Sequence, residues 1–333
     1  MTSPRPALAG FEEALRSGRP VVTCEIAAGD SPDPSGLLKR AAVVRDHVDA
    51  VNIPDNTSGI AHLSGLAAAA ILAEAGVEPI LHVTCRDLNR IALQSHLLGA
   101  AALRVRNILC LTGDHPIHGD QPDAKAVFDV DSLHLLRIGE SLRKGRYLSG
   151  RPIAPAPDLF LGSTENPFAP PFDFRPLRLR KKVEAGARFV QTQIVFNVDR
   201  FRQFMAKVVD LGIHQEAPIL AGVAPLRSAR AARYMRDRIA GMDVPEALVR
   251  RMEGVPAARA EEEGLRIGAE IIDEVRTIPG LAGLHLMPIH WEDAVAELCA
   301  RSGLRPARAG RAPDLPPALA GSPRAAAEGG RRA

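Results

Sequence analysis

Eight short apolar, β-branched runs alternate with segments of helical period along this chain, and that alternation constrains its fold more tightly than anything else in it. The runs are PVVTCEIA (20–27), VDAVNIPD (48–55), EPILHVTC (78–85), VRNILCLTG (105–113), PDLFLGS (157–163), ARFVQTQIVF (187–196), APILAGVAP (217–225) and LAGLHLMPI (281–289). Near-continuous apolar runs of this length suit strands buried on both faces. Strict βα alternation implies parallel strands joined by right-handed crossovers. Eight units in roughly 300 residues favour a closed (βα)8 barrel, an α/β TIM-type fold, over an open doubly wound sheet. The barrel is expected over residues 1–304. The segment 305–333, rich in Pro, Gly, Ala and Arg, is expected to be a disordered tail, because it has too little apolar surface to offset its ordering entropy.

The intervening segments carry helix signals. In 60–75, Leu63, Leu66, Ala67, Ala70 and Ile71 follow helical spacing, with Gly76 at the stop. Asn197 is placed to cap 198–211, with Phe201, Phe204, Met205 and Val208 as the inward stripe. Ser132 is placed to cap 133–144, and Trp291, Val295, Leu298 and Cys299 mark a last helix. Two longer intervals read as insertions: the Asp-, Gly-, Pro- and His-rich loop 114–131 and the charged helical stretch 244–277.

Composition excludes several function classes. With 42 Lys+Arg against 39 Asp+Glu and aromatics at 4%, neither a nucleic-acid nor a membrane-surface partner is expected. Four scattered cysteines without a CxxC argue against a zinc ribbon or a redox pair. The N-terminus lacks the apolar stretch of a signal peptide, and no apolar run could span a membrane. A cytoplasmic protein is expected. No GxGxxG or P-loop occurs. His115 and His118 have helical spacing but lack a third ligand, so no metal is expected.

In a barrel of this kind, chemistry gathers at the C-terminal strand ends. Glu25 ends the first run, where a carboxylate is either a proton donor at the mouth or half of a buried ion pair. Gly113-Asp114 at the fourth strand end either lets the backbone approach a ligand under a carboxylate or forms a plain turn. Gln191 and Gln193 share a strand face. Two amides turned into an apolar barrel need hydrogen-bond partners, either a polar heterocycle or a buried network. His82 stands as a core histidine or a site residue, and Lys182 as a solvated cation or a phosphate ligand.

Taken together, CEIAAG (24–29), VNIPD (51–55), LHVTCRDLNR (81–90), RNILCLTGDHP (106–116), DAKAVFDVDS (123–132), Asn166-Pro167, RLRKKVEAGARFVQTQIVFN (178–197), ILAGVAP (219–225) and GLHLMPIHWEDAV (283–295) resemble, in order, the methylenetetrahydrofolate reductase family. The likeness is to the bacterial, catalytic-barrel branch. It implies a barrel that holds FAD, takes a hydride from NAD(P)H and reduces 5,10-methylenetetrahydrofolate to 5-methyltetrahydrofolate. By the same resemblance Glu25 is the proton donor, Asp114 lies by flavin and folate, and Gln193 contacts folate. Asn52, His82, Thr112, Gly113, Gly162, Asn166 and Lys182 fall at flavin-contact positions. Many members have arginine at the position of Thr112, tyrosine at Gly162 and histidine at Asn166. Where some members hold the folate tail with an arginine, Trp291 stands. Family members commonly form homo-oligomers, and some relatives draw electrons from a partner subunit. A folate-binding relative that needs such a subunit or lacks flavin, and a non-catalytic binding barrel, are the alternatives.

Overall fold

A computed structural model describes residues 10–239 and 241–304 of the 333; the expected tail lies outside the described residues. Eight parallel strands close into a barrel in chain order: β1 (Val21–Glu25), β2 (Ala50–Ile53), β3 (Pro79–Thr84), β4 (Asn107–Leu111), β5 (Phe160–Glu165), β6 (Phe189–Ile194), β7 (Ile219–Val223) and β8 (Leu281–Leu286). Each lies within or overlaps a predicted run. The last strand pairs with the first, setting Thr23 beside His285. This is the expected TIM barrel.

The helices are α1 (Gly10–Arg16), α2 (Ser35–Val44), α3 (Gly65–Glu74), α4 (Arg90–Ala102), α5 (Ser132–Arg143), α6 (Arg175–Glu184), α7 (Val198–Asp210), α8 (Ile213–Glu216), α9 (Ala229–Arg238), α10 (Glu246–Glu253), α11 (Ala260–Val275) and α12 (Asp293–Arg301). In α7 the Asn197 side chain accepts the Arg200 amide, and Phe201, Phe204, Met205 and Val208 are buried, as the spacing predicts.

Three local expectations are corrected. The helix predicted over 60–75 is α3, which starts at Gly65 and buries Gly65, Ala68, Ala69 and Leu72 instead of the Leu63–Ile71 stripe. In GLAAAAILAE only Glu74 is charged, so helical spacing has no polar face from which to take its phase. The cap of α5 is Asp131, not Ser132: its carboxylate accepts the His134 amide at 2.9 Å, while the Ser132 amide donates to Thr112 Oγ1 at 3.2 Å. Trp291 precedes α12 and lies outside it.

Along each strand, side chains alternate between the barrel interior and the helix layer. The interior is stacked in tiers. At the N-terminal end Val21, Ala50, Ile80, Leu109, Phe160, Phe189 and Leu220 form one apolar cluster with Phe11, Ala14 and Leu15 of α1. Phe11 stands edge-on to Phe189, centroids 5.0 Å apart, and Phe160 stacks on Phe189 at 5.3 Å. Above that plug lies a buried polar tier, Thr23, Asn52, His82, Gln191 and His285. The cleft opens above it.

Candidate active site

A cleft of about 740 Å³ occupies the C-terminal ends of the strands, a volume ordinary for a small-molecule site. Glu25, His82, Thr112, Gly113, Asp114, Asn166, Lys182 and Gln193 all line it. Asn52 and Gly162, also expected at the ligand, are not among the lining residues.

Glu25 is the last residue of β1 and half-buried. Its carboxyl has no hydrogen-bond or ion-pair partner among the described residues, so the expectation of a buried ion pair does not hold. Loss of solvent, with no cation nearby to compensate, pushes its pKa up to about 7. Such a group is protonated in about half of the molecules at neutral pH and can give that proton up.

The turn after β4 is built for close approach. Gly113 has φ 92°, and a Cβ there would lie 3.0 Å from Thr84 Cβ and 3.1 Å from Arg86 Cβ. Only glycine lets the chain turn this tightly over β3. The turn carries the exposed Asp114 to the cleft wall. Thr112 is tied to α5 through the Ser132 amide, a positioning contact at the rim. Nearby, Arg86 forms a bidentate pair with Asp87 at 2.8 and 2.6 Å, which raises the arginine and lowers the aspartate. Asp55 accepts from the Thr84 hydroxyl at 3.0 Å, fastening the β2 loop to β3.

The wall built by the end of β5 and by α6 is cationic. Glu165, at the end of β5, is buried among Lys182 at 3.0 Å, Arg178 at 3.3 Å and Arg175 at 3.7 Å. Lys182 also donates to the Thr164 carbonyl. Burial pushes Lys182 down to about 8, with Glu165 opposing the shift. Lys182 is thus a buried, paired cation and not a solvated one. One carboxylate among three cations leaves positive charge beside the cleft. Asn166 donates to the Gly241 carbonyl at 3.1 Å and accepts the Phe168 amide at 2.9 Å, which braces the loop after β5.

The two glutamines differ. Gln193 is half-buried; its side-chain Oε1 accepts the Ile194 amide at 2.9 Å, next to a break in the β6–β7 register, and the residue lines the cleft. Gln191 is buried in the polar tier with Asn52, where both are held by protein groups; this is the network alternative. Asn52 therefore lies under the cleft and meets it through His82 and Gln191, which both line it. Gly162 is lower still. A Cβ there would come within 2.2 Å of the Phe189 ring, so this glycine makes room for the aromatic plug. Strand spacing tells which face a residue occupies but not its depth in a tilted barrel, which is why both were placed too high. Burial pushes the pKa values of His82 and His285 down to about 3, so both rings are neutral.

Sequence reasoning missed Glu165, Arg178 and His285. The signal for His285 was present: it repeats, on an apolar strand, the inward polar position that drew notice to Gln191. The Glu165 cluster joins a strand end to a helix turn and leaves no such trace.

The model of the methylenetetrahydrofolate reductase family matches residues 11–303. A probable methylenetetrahydrofolate reductase (NADPH) of Caenorhabditis elegans is 27% identical over 259 residues, which are 75% of this chain and 36% of that protein. The 5,10-methylenetetrahydrofolate reductase of Salmonella typhimurium (strain LT2) is 26% identical over 234 residues, 69% of this chain and 72% of that protein. The chain thus spans little more than a third of the eukaryotic relative. Among solved structures, an uncharacterized protein from Clostridium thermocellum that binds two copies of 5-methyl-5,6,7,8-tetrahydrofolic acid superposes with a TM-score of 0.62 at 12% identity, over 88% of this chain and 99% of that one, a likeness of fold. On the strength of the match across nearly all its described residues, the chain belongs to the methylenetetrahydrofolate reductase family.

Proposed function

We propose that this protein reduces 5,10-methylenetetrahydrofolate to 5-methyltetrahydrofolate, with NAD(P)H as electron donor and FAD as resident carrier. The observation that carries the reading is Glu25: an unpaired carboxyl with its pKa raised to about 7, at a strand end, in the large cleft. Opening the five-membered ring of the substrate leaves an amine nitrogen that must gain a proton, and a carboxyl of this pKa is matched to the task. Family membership and the folate named for the Clostridium thermocellum structure support the substrate class.

The residues present fit a flavin dinucleotide. The surplus positive charge around Glu165 suits a diphosphate, and Arg178 and Lys182 would hold it. His82, Thr112, Gly113, Asp114 and Asn166 are the further residues at hand for it, with Asn52 acting through His82. When bound, the flavin supplies two-electron transfer between nicotinamide and folate. The chain's own part is then electrostatic and acid–base. Glu25 holds a proton for the folate amine. Asp114 brings a negative charge towards the cationic iminium that ring opening creates. Gln193 offers its amide nitrogen to the pterin.

Absorbance spectroscopy on the purified protein tests the reading. Flavin bands are expected to bleach anaerobically with NADH or NADPH and to return when 5,10-methylenetetrahydrofolate is added. Protein without flavin, or flavin reduced only by an added reductase subunit, would overturn the NAD(P)H-linked assignment. Absence of 5-methyltetrahydrofolate among the products would overturn the activity itself.

A further inference from the structure

Five buried polar side chains, one from each of five strands, join into a single hydrogen-bonded network under the cleft. Asn52 Nδ2 lies 2.9 Å from His82 Nε2 and 2.7 Å from Gln191 Oε1. Gln191 Nε2 lies 3.1 Å from Asn52 Oδ1 and 2.9 Å from Thr23 Oγ1. Thr23 Oγ1 is 2.9 Å from His285 Nδ1.

The donor count gives this network a direction. An amide nitrogen has two hydrogens and an amide oxygen has none. Asn52 uses both hydrogens, on His82 and on Gln191, so His82 Nε2 accepts. A neutral ring then carries its proton on Nδ1. Gln191 donates to Asn52 and to Thr23. The Thr23 hydroxyl, having accepted, turns its own hydrogen towards His285 Nδ1 at 2.9 Å in preference to the Leu284 carbonyl at 3.5 Å, and the Gln191 amide nitrogen, 3.3 Å from the same Nδ1, also presents a donor to it, which leaves the His285 proton on Nε2. Reversing one amide alone would set oxygen against oxygen across the Asn52–Gln191 pair. Reversing both would switch both imidazoles. The two rings are therefore coupled through the amides, although His82 and His285 share no hydrogen bond among the described residues.

Both rings line the cleft. Their second nitrogens have no protein partner among the described residues and are not among the atoms sealed from solvent without one.

We propose that His82 Nδ1–H and His285 Nε2–H are two donors on the cleft floor, locked in that polarity by the Asn52–Gln191 amide pair, and that they select a planar heterocycle presenting acceptors along its buried edge. Carbonyl oxygens and unprotonated ring nitrogens of a pyrimidine-type edge meet that requirement, and both flavin and pterin contain one. The ligand half of the proposal rests on the function proposed above; the tautomer half does not.

Long-range 1H–15N correlation spectra of the ligand-free protein, labelled at its ten histidines, read the tautomers directly, since protonated and unprotonated ring nitrogens have widely separated 15N shifts. His82 is expected in the Nδ1–H form and His285 in the Nε2–H form, assigned through His82→Gln and His285→Gln. The reverse pair, one tautomer shared by both rings, or a protonated ring at pH 7 would overturn the proposal. Gln191→Met is expected to mix the His82 tautomers although Gln191 shares no hydrogen bond with His82 among the described residues, because Asn52 is then free to turn. Asn52→Leu, a near-isosteric change, is expected to mix the His285 tautomers although Asn52 shares no hydrogen bond with His285 among the described residues, because Gln191 is then free to turn, and it serves if Gln191→Met does not fold. An unaltered His82 in folded Gln191→Met, or an unaltered His285 in folded Asn52→Leu, would remove the coupling. FAD and 5-methyltetrahydrofolate, added separately, then identify the occupant. A shift of both ring N–H signals with one of them supports selection by that ligand. No shift with either overturns the ligand half alone, and the spectroscopic test of function decides separately whether the reaction occurs.

Discussion

Lys182 lies 3.0 Å from Glu165, and both side chains are closed off from solvent. The carboxylate also faces Arg178 and Arg175, so among the described residues it is the single negative group holding these three cations together at the cleft wall. Glu165→Ala is expected to destabilise the fold by about 3–5 kcal/mol, the usual cost of leaving buried charge without its partner. Lys182→Met should cost less, because two cations still satisfy the carboxylate. Urea unfolding measures both. A smaller loss for Glu165→Ala than for Lys182→Met would contradict this account of the cluster.

Glu25→Gln keeps size and hydrogen-bonding capacity but carries no transferable proton. Flavin content and its reduction by NAD(P)H are expected to stay near wild type, while oxidation of the reduced enzyme by methylenetetrahydrofolate falls about 10²–10⁴-fold. In the wild type the folate half-reaction should slow as pH rises through about 7, where Glu25 loses its proton. Stopped-flow traces of the separate half-reactions give the answer. Near-normal folate-dependent reoxidation in the variant would sink the assignment.

The same residue should lower stability at alkaline pH. Its pKa in the fold, about 7, is above the ordinary 4.5, so between these values the native state holds a proton that the unfolded chain has released. Stability contributed by the neutral form is whole below pH 4.5 and is lost as pH rises through 7. Glu25→Gln is therefore expected to be more stable than wild type at pH 8, with the gap closing towards pH 4. Thermal unfolding at the two pH values shows whether the gap has that sign.

Gln193→Ala should weaken folate use more than NAD(P)H oxidation with an artificial acceptor. One hydrogen bond to a buried partner is worth about 1–3 kcal/mol when that partner is left unsatisfied. Equal losses in the two assays would point to a structural role for Gln193.

Gly162→Ala is expected to act through packing. The added methyl would meet the Phe189 ring at 2.2 Å, and overpacking of this kind costs about 1–3 kcal/mol. Phe189→Ala, which empties the centre of the plug, should cost about 3–5 kcal/mol. Flavin content of folded Gly162→Ala is expected to match wild type. Selective loss of flavin with unchanged stability would return Gly162 to the cofactor.

All eight strands could be read from the chain because they are largely buried on both faces, and that burial writes itself as a near-continuous apolar run. The cap and stripe of α7 were legible for a related reason: Asn197 and its four inward apolar residues stand out against charged neighbours. In α3 nearly every residue is apolar, so the buried face was chosen by its neighbours β3 and α4 and not by local pattern. Glu25 and Asp114 were legible as polar groups at strand ends, and the barrel topology alone brings such ends to one mouth. Depth was not legible. Gln191 and Gln193 share a face by strand period and both line the cleft, yet Gln191 is buried and tied into the network of its floor while Gln193 is only half-buried. Gly162 matched a cofactor position in the linear order but lies against Phe189. Strand tilt and stagger set height in a closed barrel, and these are properties of all eight strands together. The raised pKa of Glu25, the three cations on Glu165 and the paired polarity of His82 and His285 depend in the same way on groups distant in sequence. Burial and hydrogen-bond partners come into being only when the barrel closes.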